Sequence, residues 1–228
     1  MTRVRWAESY RIIQSRFPFV GIFDRISDPN DLPAVLVIEA RTNDRILEEA
    51  GAIALVRAKD RVSGPGATPV MAAFTHTKPS RFSDGSFGVY YAARHLPAAV
   101  AESKFHTECF YRATNEASAG IDMRVYAARI NGNFDDLRVC EPSDSRLNPD
   151  SYEASQEYAR QIYDADRLDG IVYPSVRDVA HRPAVACFRP TTIRNCYSHS
   201  YLLYRWDGLA RKIVDVHKQE ASGFAGTG

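Results

Sequence analysis

A mixed α+β fold is the class this sequence predicts. Strand-like and helix-like segments follow one another without regular βαβ alternation, and no Gly-x-Gly-x-x-Gly follows a strand-like segment. A chain of 228 residues with 45% apolar content is also long enough for one substantial core. One domain over residues 1–228 is therefore expected.

The elements can be justified in order. Tyr10-Arg-Ile-Ile13 is short and β-branched and stops before Phe17-Pro18, so it predicts an opening strand with Arg11 projecting from one face. Asn30 or Asp31 can cap a helix, Pro33 suits its first turn, and the segment closes on Glu48-Glu-Ala-Gly51. One or two helices are expected there, in an N-terminal helical extension over residues 28–60. Residues 61–69 hold the densest cluster of breakers, which predicts a loop before the motif-bearing core at residues 71–190. Within that loop Ser63-Gly-Pro-Gly-Ala-Thr68 lacks the Lys-Ser/Thr ending of a phosphate loop and reads as a turn.

Val70-Met-Ala-Ala-Phe74 and Gly88-Val-Tyr-Tyr-Ala-Ala93 read as strands, joined by a connection whose Ser, Asp and Gly favour turns. A helix starts near Leu96-Pro97 and runs to Phe110 or Thr114, with Pro tolerated in the first turn. Glu102 lies early in it, and helical spacing gives it Ala98, Phe105, His106 and Cys109 as company. Residues 122–130 alternate like a half-buried strand, and Asn131-Gly132 predicts a hairpin turn into residues 134–139. An amphipathic helix opens near Asp150 or Ser151, with Tyr152, Ala159 and Ile162 inward. Residues 170–173, 183–188 and 201–206 complete the strands.

The 29 Lys and Arg nearly cancel 28 acids, so a formal charge of +1 gives no long-range pull toward a polyanion. Direct nucleic-acid binding is not expected. No stretch approaches the ~20 apolar residues of a membrane span, and the start lacks a signal-like apolar run, so a cytoplasmic location is expected. Cys109, Cys140, Cys187 and Cys196 show no paired spacing and the six His are scattered, so neither a disulfide framework nor a metal site is expected.

Three separated phrases carry a resemblance. They are Ser80-Arg-Phe-Ser-Asp-Gly-Ser-Phe-Gly-Val-Tyr-Tyr-Ala-Ala, Ala98-Ala-Val-Ala-Glu102, and Asp169-Gly-Ile-Val-Tyr-Pro-Ser-Val-Arg, closing with Ala186-Cys-Phe-Arg-Pro190. In this order they resemble the RES-domain family, named for its Arg, Glu and Ser. Shorter members carry Gly-Gly-Arg-Trp-Asn where this chain has Pro79-Ser-Arg-Phe-Ser. The resemblance implies a core of small packed β-sheets flanked by helices, related to ADP-ribosyltransferases, and a toxin that consumes NAD. Some members degrade NAD by hydrolysis or phosphorolysis, and others transfer ADP-ribose to a protein acceptor. It also implies a partner antitoxin with a helix-turn-helix DNA-binding domain.

The chemistry of these residue types suits that substrate. Cleaving the nicotinamide–ribose bond leaves positive charge on the sugar, which a carboxylate at Glu102 would stabilise. Arg81, and Arg11 from the first strand, would pair with phosphate oxygens through the guanidinium fork. One of Tyr90 and Tyr91 faces the core and the other a cleft or solvent, and the resemblance favours Tyr91 stacking on the cationic nicotinamide. Ser175, after a proline at a strand end, is placed to hydrogen-bond the nicotinamide amide or a ribose. Each has a plainer alternative: a solvated helix Glu, surface ion pairs, packed β-forming aromatics and a turn Ser. A non-catalytic module binding through its 12 Tyr and 2 Trp is the competing function.

Overall fold

The computed structural model describes residues 1–15, 21–26, 28–31, 34, 35, 48 and 50–219. The elements that position the site are β1 (Thr2–Gln14), α1 (Ile22–Arg25), α2 (Ala67–Thr75), β2 (Tyr90–Ala93), α3 (Leu96–Ala113) and β3 (Ala119–Asp136). They continue with α4 (Glu153–Ala165), β4 (Gly170–Pro174), β5 (Pro183–Cys187), β6 (Ile193–Asp207) and β7 (Lys212–Gln219).

The seven strands run in the order β1-β2-β5-β4-β3-β6-β7, and β1 also pairs with β3. The strands β1, β2, β5, β4 and β3 therefore close a circuit, from which β6 and β7 extend as a flange. Among the described residues only the β3–β4 pairing is parallel; the others are antiparallel. The α+β expectation is met.

Alternation along the short strands explains why the circuit is buried on both faces. Tyr90 and Ala92 of β2, Val172 of β4, and Val185 and Cys187 of β5 join one core with Val4, Trp6, Ile130 and Phe134, against Val70, Met71 and Phe74 of α2. Tyr91 and Ala93, Ile171 and Tyr173, and Ala184 and Ala186 face the other way, under Ala98 and Ala99 of α3 and Ala159 of α4. A third cluster joins Tyr111 of α3 to Ile121, Val125, Tyr204 and Trp206. Each large apolar side chain buried this way is worth ~1.5–3 kcal/mol.

Register matters on β1. Trp6 faces Ile130 and Ser9 faces Ala128, so β1 carries one extra residue between them. That bulge keeps Val4, Trp6, Ser9 and Arg11 on the same face, toward the α2-side core.

Several expectations are corrected. Residues 70–74 are not a strand but part of α2, in which every residue except Ala72 is buried. A short, all-apolar run has no period to separate the two, and Ala and Met favour helix. The hairpin at Asn131-Gly132 does not form either, because β3 runs straight through it, with Arg5 opposite Asn131 and Val4 opposite Gly132. Gly132 is needed for close approach instead: a Cβ there would lie 2.8 Å from Asp169 Oδ2. The strand β7 was not anticipated, and β1 and β6 are longer than their most apolar stretches. Of the helical extension, residues 32, 33, 36–47 and 49 lie outside the described residues; Pro29–Asp31, Ile53–Leu55 and Ala58–Asp60 form 3-10 turns.

Candidate active site

The helix α3 carries Glu102 to the sheet. Ala98 and Ala99 are buried one turn earlier, and their small size lets the helix lie close to the strands. A residue three or four positions on shares that face, so the half-buried Glu102 side chain reaches the end of β4. There the fully buried Ser175 Oγ donates to Glu102 Oε1 at 2.6 Å. The same Oγ accepts from the Asp178 amide at 3.2 Å. Residues 175–182 form a braced loop: His181 Nδ1 lies 3.0 Å from the Ser175 carbonyl oxygen, and Asp178 accepts from the Arg182 amide and Nη1 at 3.0 and 2.9 Å.

The strand β2 supplies the second part. Tyr91 directs its phenol at the turn that bears Arg81, sharing a 2.9 Å hydrogen bond with Ser80 Oγ and accepting from the Phe82 amide at 2.9 Å. The start of α4 grips the same turn, since Ser155 Oγ donates to the Arg81 carbonyl at 2.6 Å and Gln156 Nε2 to the Ser80 carbonyl at 2.8 Å. The buried Arg81 guanidinium donates from Nη1 to the Asn148 carbonyl at 2.8 Å and lies 4.7 Å from the centre of the Tyr152 ring. One Nη1–H is thereby committed, while the fork has five donors in all.

Electrostatic coupling ties these groups together. Burial pushes the Tyr173 phenol well above its usual range, and the Glu102 carboxylate and Tyr91 raise it further while Arg81 opposes them. Burial also raises Tyr91, to about 12, against the pull of its Ser80 and Phe82 bonds and of Arg81. Both phenols are neutral at pH 7.

His106, one turn beyond Glu102 on α3, is open to solvent on one side yet crowded by protein on the others. That crowding, with the positive charges of Arg177, Lys78 and Arg81, takes its pKa down to about 4. These cations gather around His106, one helical turn from Glu102. Arg177 lies 3.4 Å from the centre of the Phe105 ring and donates to the Pro149 carbonyl. Sequence reasoning gave no role to Arg177, Lys78 or His106. Arg177 stands two residues beyond Ser175 in the quoted phrase, which was the available signal.

The structure thus brings together Glu102, Ser175, Tyr91 and Arg81, four of the five expected site residues. Arg11 is not brought to the same side. Its guanidinium lies 4.9 Å from the centre of the Tyr90 ring, on the α2-side face, and meets the site only through a 3.2 Å bond to the Tyr91 carbonyl. Burial lowers its pKa. The bulge in β1, which turns Arg11 to that face, has no clear sequence signature. Two cavities, of about 590 and 390 Å3, lie elsewhere, the first along residues 3–6 and the second against β6. Neither includes Glu102, and the convergent polar groups identify the site better than cavity size does.

An α+β domain of strands closed into a circuit, with Glu102 and Ser175 joined across a helix and a strand end and Arg81 on a turn held by Tyr91, is an ADP-ribosyltransferase-like domain. The RES-domain family model matches residues 54–207, and the chain belongs to that family. A protein of Sinorhizobium fredii (strain NBRC 101917 / NGR234), named "Uncharacterized protein y4oC", is similar to it, with 31% identity over 216 residues that span 92% of this chain and 80% of the relative. RES domains act on NAD and are typically toxins paired with antitoxins. Among the described residues no helix is long and apolar enough to cross a membrane.

Proposed function

We propose that this protein is the toxin of a toxin–antitoxin pair and breaks the nicotinamide–ribose bond of NAD in the cytoplasm. The observation that carries the reading is the 2.6 Å contact between Ser175 and Glu102, which fixes a carboxylate beside a cationic turn and two neutral phenols. As the bond lengthens, its electron pair leaves with nicotinamide and positive charge builds on the ribose. Glu102 stabilises that charge, in surroundings where water competes weakly. Ser175 orients the carboxylate and can bond a sugar hydroxyl or the nicotinamide amide. Tyr91 presents an aromatic surface to the cationic ring while its hydroxyl holds the turn. Arg81, with donors to spare, grips the diphosphate. Arg11 acts behind them as a positioning residue, through the Tyr91 carbonyl.

The acceptor then bonds to the ribose carbon and releases its proton to solvent. Water gives ADP-ribose, inorganic phosphate gives phosphorylated ADP-ribose, and a protein side chain becomes ADP-ribosylated. Incubating the purified chain with NAD, with and without phosphate and a cell lysate, and identifying the products tests the proposal. Loss of NAD that depends on Glu102 supports it. Intact NAD under every condition would leave a non-catalytic binding module as the better reading. The matching partner is an antitoxin with a helix-turn-helix domain that covers the Glu102 site and makes the DNA contacts itself.

A further inference from the structure

We propose that the N-terminal half of β1 is a docking edge for an extended acidic segment of a partner protein, which adds as a strand beside residues 3–6. The edge is open. On one side β1 pairs with β3 from Thr2 to Gln14, but on the other side its pairing with β2 is confined to Tyr10 opposite Ala93. Among the described residues no backbone hydrogen bond covers the outer edge of Arg3, Val4, Arg5 and Trp6. An uncovered row of peptide groups is a template for another strand.

The charge around the edge selects the partner. A cavity of about 590 Å3 runs along residues 3–6 and is lined further by Arg94 and Arg138, so four arginines and no acid wall it. Arg138 is largely neutralised by a two-point pairing with Asp136, at 2.8 and 2.6 Å. Arg3 donates to the neutral amide oxygens of Asn131 and Asn133 at 2.7 and 3.1 Å, which leaves its charge uncompensated. Among the described residues Arg5 and Arg94 have no side-chain partner, and both are exposed. Three positive charges therefore stand at the mouth of a site with free peptide groups at its base.

Spacing strengthens the match. Arg3 and Arg5 project from the same face of a strand, about 7 Å apart, which is the separation of alternate residues on an added strand. A segment with Asp or Glu at every second position would meet both, with Arg94 and Arg138 beyond them. A second copy of this chain would instead set arginine against arginine, which opposes self-pairing.

The test uses the full chain and a synthetic nine-residue peptide alternating Glu with Val or Thr, with a Lys-for-Glu peptide and inorganic polyphosphate as the other probes. Binding is read by anisotropy, and backbone amide exchange is read residue by residue. The expected result is binding of the acidic peptide alone, weakened by salt, with new protection at amides in residues 3–6. Arg5→Glu combined with Arg94→Glu is expected to weaken it at least ~10-fold. Both positions are exposed and lie outside the NAD site, so an unchanged thermal unfolding curve and unchanged NAD loss verify folding. If that pair fails to fold, Arg5→Gln alone gives the same readout, with a several-fold loss expected. Absence of binding, equal binding of the Lys peptide, polyphosphate binding in its place, or binding without amide protection would each overturn the proposal.

Discussion

Ser175 Oγ and Glu102 Oε1 stand 2.6 Å apart although 73 residues separate them in the chain. One belongs to the end of a strand and the other to a helix packed across it, so the bond records how α3 is docked. The Ser175 bond occupies one carboxylate oxygen and leaves the other free of Ser175.

Glu102→Gln conserves shape and removes the charge. Loss of one stabilising group of this kind costs ~100- to 1,000-fold in rate, so NAD loss should fall by about that factor while the unfolding midpoint stays near that of the parent. Turnover assays on the folded variant check this, and undiminished turnover would remove Glu102 from the chemistry.

Ser175→Ala strands both the Glu102 oxygen and the Asp178 amide. The expected loss is ~1–3 kcal/mol of stability, the cost of leaving a buried polar group unsatisfied, together with reduced activity. Denaturant titration measures the first and NAD turnover the second. A variant as stable as the parent would mean the bond contributes nothing to docking α3.

Replacing Arg81 with Lys keeps a positive charge but loses the planar fork that bonds Asn148 and faces Tyr152. We expect the KM for NAD to rise ~10-fold or more with a smaller change in kcat, on the scale of one charge-assisted hydrogen bond. Steady-state kinetics over a range of NAD concentration decides it; an unchanged KM would release Arg81 from the diphosphate.

The depressed pKa of His106 has a sign that can be followed. The unfolded chain takes up its proton near the ordinary value of 6.5, whereas the folded chain does so only near 4. His106 therefore contributes its stability above pH 6.5, and that contribution falls away between pH 6.5 and 4. His106→Gln should flatten stability over this window, and an imidazole NMR titration of the parent should show a midpoint near 4. A midpoint above 6 would contradict the crowding of the ring by protein and cations.

Gly170 opens β4 with φ of +150°, and a Cβ there would meet the Ala186 carbonyl oxygen at 2.0 Å. Gly170→Ala combines backbone strain with a clash between neighbouring strands, so at least ~2 kcal/mol should be lost. Thermal unfolding checks the value, and a neutral result would show that β4 and β5 can separate locally at no cost.

Much of the site was legible because its chemistry sits in short local phrases. Pro97 in a first helical turn and Ala98 before Glu102 are enough to place a carboxylate on a packed helix face, and an apolar strand closing on Pro174 announces a strand end at Ser175, which the fold then buries. What could not be read depends on partners distant in the chain. Gly132 looks like a turn residue until Asp169 is seen against it, and residues 70–74 look like a strand until α2 is found buried along all its length but Ala72. Arg11 shows the same limit: one extra residue between Trp6 and Ser9 reverses its face, and no local pattern reports it.

The closed strand circuit has a consequence for biosynthesis. The strand β1 leaves the ribosome long before its main partner, since Arg11 pairs opposite Tyr126 and the ring is completed only when β5 has been made. Pairings so distant in sequence assemble slowly. A newly made chain therefore carries an unshielded strand through most of its translation, a window in which a chaperone or a co-produced binding protein can capture it before the circuit closes.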